Sequence, residues 1–114
     1  MLKKQNRLKK KKDFEKVFKE GKSFKNDFLI VKINENSLKF PRFGFVVSKK
    51  VSGKSVVRNK IKRRLRELVK EKVRKIEDKS IDCIFIALPK SKNRDFEEIG
   101  KVVENLFKKI EKYK

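Results

Sequence analysis

Histidine and tryptophan are absent from this chain of 114 residues, and cysteine, tyrosine and methionine occur once each. With no imidazole and a single thiol, its side chains cannot build a zinc site, a Ser/His/Asp triad or a Cys/His nucleophile pair. An intramolecular disulfide framework is excluded for the same reason. The lone Cys83 lies within Ile81-Asp82-Cys83-Ile84-Phe85-Ile86-Ala87-Leu88, where a small thiol packs as an apolar residue inside a strand. No stretch approaches the roughly 18 apolar residues that cross a bilayer, and the N-terminus has charge without the apolar run of a secretory signal. A cytoplasmic protein with no membrane partner is expected.

Acidic residues are scarce where cations are dense. Residues 1 to 12 carry seven Lys or Arg and no acid, and residues 49 to 75 carry thirteen against Glu67 and Glu71. These two segments supply eighteen of the net +21 charges. Charge concentrated in this way marks a binding surface for a polyanion.

Ten Phe and 37% hydrophobic residues give the chain enough apolar material for one core, and its length leaves no room for two. The reading is a basic N-terminal tail over residues 1 to 12 and a single domain over residues 13 to 114. Asp13 as N-cap, apolar Phe14, Val17 and Phe18, and Gly21 as stop predict a short helix. Phe28 to Ile33 and Arg42 to Ser48 read as strands joined by the turn residues Asn34 to Ser37, which points to an antiparallel hairpin.

Lys49 to Gly53 leads into a long helix that ends near Ile76. Ile81 to Leu88 is nearly all apolar, as in a strand buried on both faces, and Pro89 ends it. Asp95 and Glu98 form a capping box for a last helix bearing Phe96, Ile99, Val102, Val103, Leu106, Phe107 and Ile110. The order α-β-β-α-β-α fits an α/β (α+β) two-layer sandwich with a small mixed sheet. The long helical connection allows the last two strands to run parallel.

The long helix is the strongest functional signal. At about 100° per residue, Val57, Ile61, Leu65 and Leu68 share one face, and Arg58, Asn59, Lys62, Arg63 and Arg66 fan across its neighbour. Guanidinium forks bind phosphate oxygens bidentately, and an amide such as Asn59 meets a phosphate, a 2′-hydroxyl or a base edge. In the second strand Arg42, Gly44, Val46 and Ser48 share a small and partly polar face, which is either the floor of a groove or a site of a bulge or tight packing at Gly44. Phe14 and Phe18 lie one helical turn apart. They are either core residues or rings lining a groove for unpaired nucleotides. A basic helix could also enter duplex DNA, but no zipper or helix-turn-helix pair accompanies this one.

Together, these motifs resemble the protein subunit of bacterial ribonuclease P. The resemblance rests on Asn6-Arg7-Leu8-Lys9-Lys10 leading into Asp13-Phe14 and Val17-Phe18, on Arg42-Phe43-Gly44-Phe45-Val46-Val47-Ser48-Lys49-Lys50, and on Arg58-Asn59 with Lys62-Arg63 and Arg66-Glu67. It implies that a catalytic RNA, using magnesium ions, removes the 5′ leader of precursor tRNA while the protein assists without a cofactor of its own. It assigns Lys54, Arg58, Asn59, Lys62, Arg63 and Arg66 to the catalytic RNA. The leader cleft falls to Phe14, Phe18, Val31, Ser48 and Lys50, and further RNA contact to Arg7, Lys9 and Lys10 of the tail. Val31 stands where many family members have an aromatic residue. A left-handed crossover between parallel strands is also implied, and the protein itself is expected to be a monomer. General RNA or DNA binding, of ribosomal or chaperone type, is the alternative.

Overall fold

The computed structural model describes residues 2–113. Helix α1 (Lys11–Glu20) begins two residues before the expected cap, so Asp13 lies inside its first turn, where a carboxylate favours the helix dipole. At its end the Gly21 N–H donates to the Val17 carbonyl. Strands β1 (Lys22–Asn26) and β2 (Leu29–Glu35) follow as a tight hairpin turning at Asp27, whose φ is 51°. The chain continues as β3 (Arg42–Val47), α2 (Ser55–Lys72), β4 (Ile81–Ala87) and α3 (Phe96–Lys112). The capping box of α3 forms as the sequence predicts: Asp95 accepts from the Glu98 N–H at 2.8 Å, and Glu98 accepts from the Asp95 N–H at 3.3 Å.

The mixed sheet has the order β1-β2-β4-β3, with β3 parallel to β4 and the other pairs antiparallel. The expected pairing of residues 28–33 with 42–48 therefore does not occur, because β4 lies between the two. Apart from Asp82, Ile81–Ala87 is apolar on both faces, and it takes an interior position. Arg42 and Gly44 leave β3 at the edge. β1, unrecognised in the sequence because Lys22-Ser23-Phe24-Lys25-Asn26 holds one apolar residue, supplies the opposite edge.

Alternation along the strands gives the two faces different roles. Leu29, Val31, Ile33, Phe43, Val47, Cys83 and Phe85 join the main core with α2 and α3. The Phe85 ring stacks on Phe107 at 6.1 Å and on Phe45 at 6.0 Å. The other face holds a much smaller cluster of Leu8, Val17 and Ile84, with Phe14, Val46 and Ile86 against it, under α1 alone.

Residues 2–12 are not a tail. Leu2 and Leu8 are buried, the Asn6 side chain donates to the Pro41 carbonyl at 2.7 Å, and the Leu8 N–H donates to Phe43 at 2.8 Å. Two leucines and a satisfied asparagine among the cations anchor this segment along the free edge of β3, with Arg7 bridging to Phe43.

Candidate nucleic-acid interface

Helix α2 buries Ile61, Leu65, Leu68 and Val69 and turns its charge outward. Lys54, Asn59, Arg63 and Arg66 are exposed, and Arg58 and Lys62 are half-buried. Arg58 donates to the Ser52 carbonyl at 3.0 Å, which ties the helix start to the preceding loop. Among the described residues the ion pairs involve only Arg42 and Arg94, so no carboxylate neutralises the α2 cations at contact distance. Their charges are uncompensated by ion pairs among the described residues.

On the α1 face the strand register lays side chains in cross-strand rows. The first row is polar. Arg42 grips Asp82 bidentately, Nε to Oδ1 at 2.9 Å and Nη2 to Oδ2 at 2.8 Å, and Asn36 donates to the same Oδ1 at 2.9 Å. The third Arg42 nitrogen, Nη1, reaches Asp13 at 3.3 Å and so fixes the start of α1 to the sheet. Hydrogen bonding to Asp82 raises the Arg42 pKa further above its ordinary value, against the lowering effect of burial.

The second row, Lys32, Ile84 and Gly44, lies beneath α1. Phe14 sits on Gly44, where an added Cβ would come within 2.5 Å of its ring. Lys32 donates to the Phe18 carbonyl at 3.4 Å, with its ammonium 5.6 Å from the centre of the Phe18 ring. In the third row Lys25, Ile30, Ile86 and Val46 are aligned by register, and the three apolar members are half-exposed. This row is an open apolar strip with a cation at its β1 end, and Ser48 and Lys50, both exposed, follow Val46 in the chain just past the end of β3.

Of the three apolar residues of α1, only Val17 is a fully buried anchor; Phe14 is half-buried and Phe18 is 40% exposed. Both rings therefore border the cleft. Val31 does not. It is fully buried on the opposite face, paired in register with Phe24 and Phe85, and its neighbours Ile30 and Lys32 face α1. A displacement of one residue in a strand reverses the face. Ile30, Lys32, Ile86 and Lys25 were missed because the run Phe28 to Val31 has no alternation from which a face could be read.

A cavity of about 530 Å³ connects the surfaces that the sequence presented separately. Phe14 and Gly44 contribute from the cleft, Arg63 and Arg66 from α2, and Arg7 and Lys9 from the N-terminal segment. Lys10 is exposed beside them in sequence. An apolar floor ringed by four cations against the single carboxylate of Glu67 suits a nucleotide, whose base and phosphate ask for those two environments.

Fold and surface thus define a class: a small α/β domain whose cationic helix and apolar cleft adjoin in one face with the chemistry that suits nucleic acid. The family model described as Ribonuclease P matches residues 2–111. The "Ribonuclease P protein component" of Clostridium botulinum (strain 657 / Type Ba4) is 40% identical over 106 residues, covering 93% of this chain and 95% of that protein. The solved RNase P protein of Staphylococcus aureus superposes with a TM-score of 0.82 at 36% identity, over 90% of this chain and 93% of that one. That of Thermotoga maritima gives 0.80 at 34%, over 90% and 96%. The chain belongs to the ribonuclease P protein family.

Proposed function

We propose that this protein binds the catalytic RNA of ribonuclease P and the 5′ leader of precursor tRNA together, and thereby assists magnesium-dependent removal of the leader. The observation that carries this reading is the shared cavity: Phe14 of the cleft and Arg63 and Arg66 of α2 line one space. Arg58, Asn59, Lys62, Arg63, Arg66 and Lys54, with Arg7, Lys9 and Lys10, contact the catalytic RNA. The leader lies across Ile30, Ile86 and Val46, flanked by Phe14, Phe18, Lys25, Ser48 and Lys50.

Two phosphate-rich RNAs repel one another, and a cationic protein between them lowers the cost of their approach. A grip on the leader, which mature tRNA lacks, favours precursor over product, since only a differential contact shifts a binding equilibrium. Hydrolysis belongs to the RNA. Asp13 and Asp82 on the cleft face are engaged by Arg42, and the magnesium of the reaction is expected among the phosphates of the RNA.

The test is reconstitution with a bacterial ribonuclease P RNA at low magnesium, following leader release. Faster release with the protein present is expected; no acceleration refutes the reading. Duplex DNA displacing structured RNA at equal salt would favour general DNA binding instead.

A further inference from the structure

A second concave surface lies at the opposite edge of the sheet from α2, where β1 meets the end of α3. Its cavity, about 650 Å³, is lined by Lys22, Phe24, Lys109, Lys112, Tyr113 and Glu20. Lys109 and Lys112 stand three residues apart on α3 and so share one helix face, and Tyr113 follows them as the C-cap in extended conformation. The Lys109 ammonium lies 5.9 Å from the centre of the Phe24 ring, which holds that charge in place over the groove. Tyr113 is pinned through its carbonyl by Lys79 at 2.7 Å and leaves part of its ring exposed. Three ammonium groups against one carboxylate, set around an available ring, are the elements of a single-strand binding platform.

We propose that this groove binds a second segment of single-stranded RNA, its phosphates on Lys22, Lys109 and Lys112 and a base against Tyr113. Four strands separate it from α2, three spacings or about 14 Å of sheet, so one protein holds two RNA segments on opposite edges. Lysines placed only to complement the α3 dipole would attract anions without regard to their bases. Ring contact distinguishes the two cases.

The experiment titrates the full-length protein, carrying R58A/R66A to weaken the α2 surface, with fluorescein-labelled oligouridylate over a range of salt. Adding K22Q/K109Q/K112Q is expected to reduce the slope of log affinity against log salt by about 2, at roughly 0.7 for each lost phosphate contact. Y113L is expected to weaken binding at least about fivefold with the slope intact, and Y113F, which keeps the ring, to bind like its parent. An unchanged slope, or polyglutamate competing as well as oligouridylate, overturns the proposal. In the reconstituted complex, 4-thiouridine crosslinks from Tyr113 to either RNA support it, and crosslinks to neither refute it. Leader release by the otherwise unaltered protein is scored separately, so failure of this groove leaves the cleft reading standing.

Discussion

Replacing Gly44 with alanine tests whether the cleft wall depends on one ring resting on bare backbone. An ideal Cβ at this position lies 2.5 Å from Cζ and 2.7 Å from Cε1 of Phe14. Carbon atoms rest near 3.5–4.0 Å, so the ring must withdraw by roughly 1 Å. No glycine here has positive φ, so the penalty comes from the ring and not from the backbone. Overpacking costs about 1–3 kcal/mol. Phe14 is half-buried and can swing outward, which places G44A near the lower end, about 1 kcal/mol, at the expense of the cleft wall. Urea unfolding of G44A, F14A and the double variant forms a cycle. With Phe14 gone the added methyl meets no ring, so G44A is expected to be nearly neutral, giving a coupling of about 1 kcal/mol. In parallel, G44A is expected to weaken precursor tRNA binding more than mature tRNA binding. Strictly additive stabilities, or equal loss for the two RNAs, would refute the contact and its role.

Arg42→Ala leaves the buried Asp82 with only the Asn36 hydrogen bond and is expected to cost about 3 kcal/mol, read as a lower urea midpoint; R42K recovers only part, because an ammonium cannot reproduce the fork. Val31→Ala, on the core face, is expected to destabilise the fold yet lower precursor and mature tRNA binding alike, whereas Ile30→Asp discriminates between them; the reverse pattern would contradict the strand faces assigned here. Arg58→Ala with Arg66→Ala is expected to reduce the salt slope of catalytic-RNA binding by roughly one unit per lost phosphate contact. Burial raises the Cys83 pKa above its ordinary value, so the folded state keeps its proton where the unfolded chain has lost it. Stability is thus full below about pH 9 and falls above it, by about 1 kcal/mol between pH 9 and 10 relative to C83A. Equal pH profiles for the two proteins would refute that.

Legibility in the sequence followed the strength of each local pattern. The helical stripe Val57, Ile61, Leu65 and Leu68, the Asp95 and Glu98 cap and the apolar run from Ile81 each announce their element, because burial on one stripe or on both faces leaves a period in the residues. β1 left none, since an edge strand that must resist pairing with other chains is built of lysine and small polar residues. Without β1, strand order is underdetermined: Phe28 to Ile33 has partners on both sides, and a hairpin to Arg42 was the local solution. The face of Val31 failed for a related reason, for parity in a continuous apolar run is decided by which side α2 and α3 cover. Leu2 and Leu8 were visible, but seven surrounding cations masked the anchoring they provide.

The two sheet faces explain how so cationic a chain keeps both a fold and a binding surface. Stability resides on the α2 and α3 face, where phenylalanine rings stack and no charge is buried. The α1 face buries few side chains and is held by geometry: Arg42 joins sheet and helix at one end, and Lys32 joins them near the other. The middle row is therefore covered while Ile30, Ile86 and Val46 stay half-open to solvent. An apolar strip of this kind gains little from folding and gains from burial under a ligand. Substitutions along it should alter leader affinity with little effect on the core, while substitutions in the Arg42 row should alter both, because that row sets where α1 and its two rings stand.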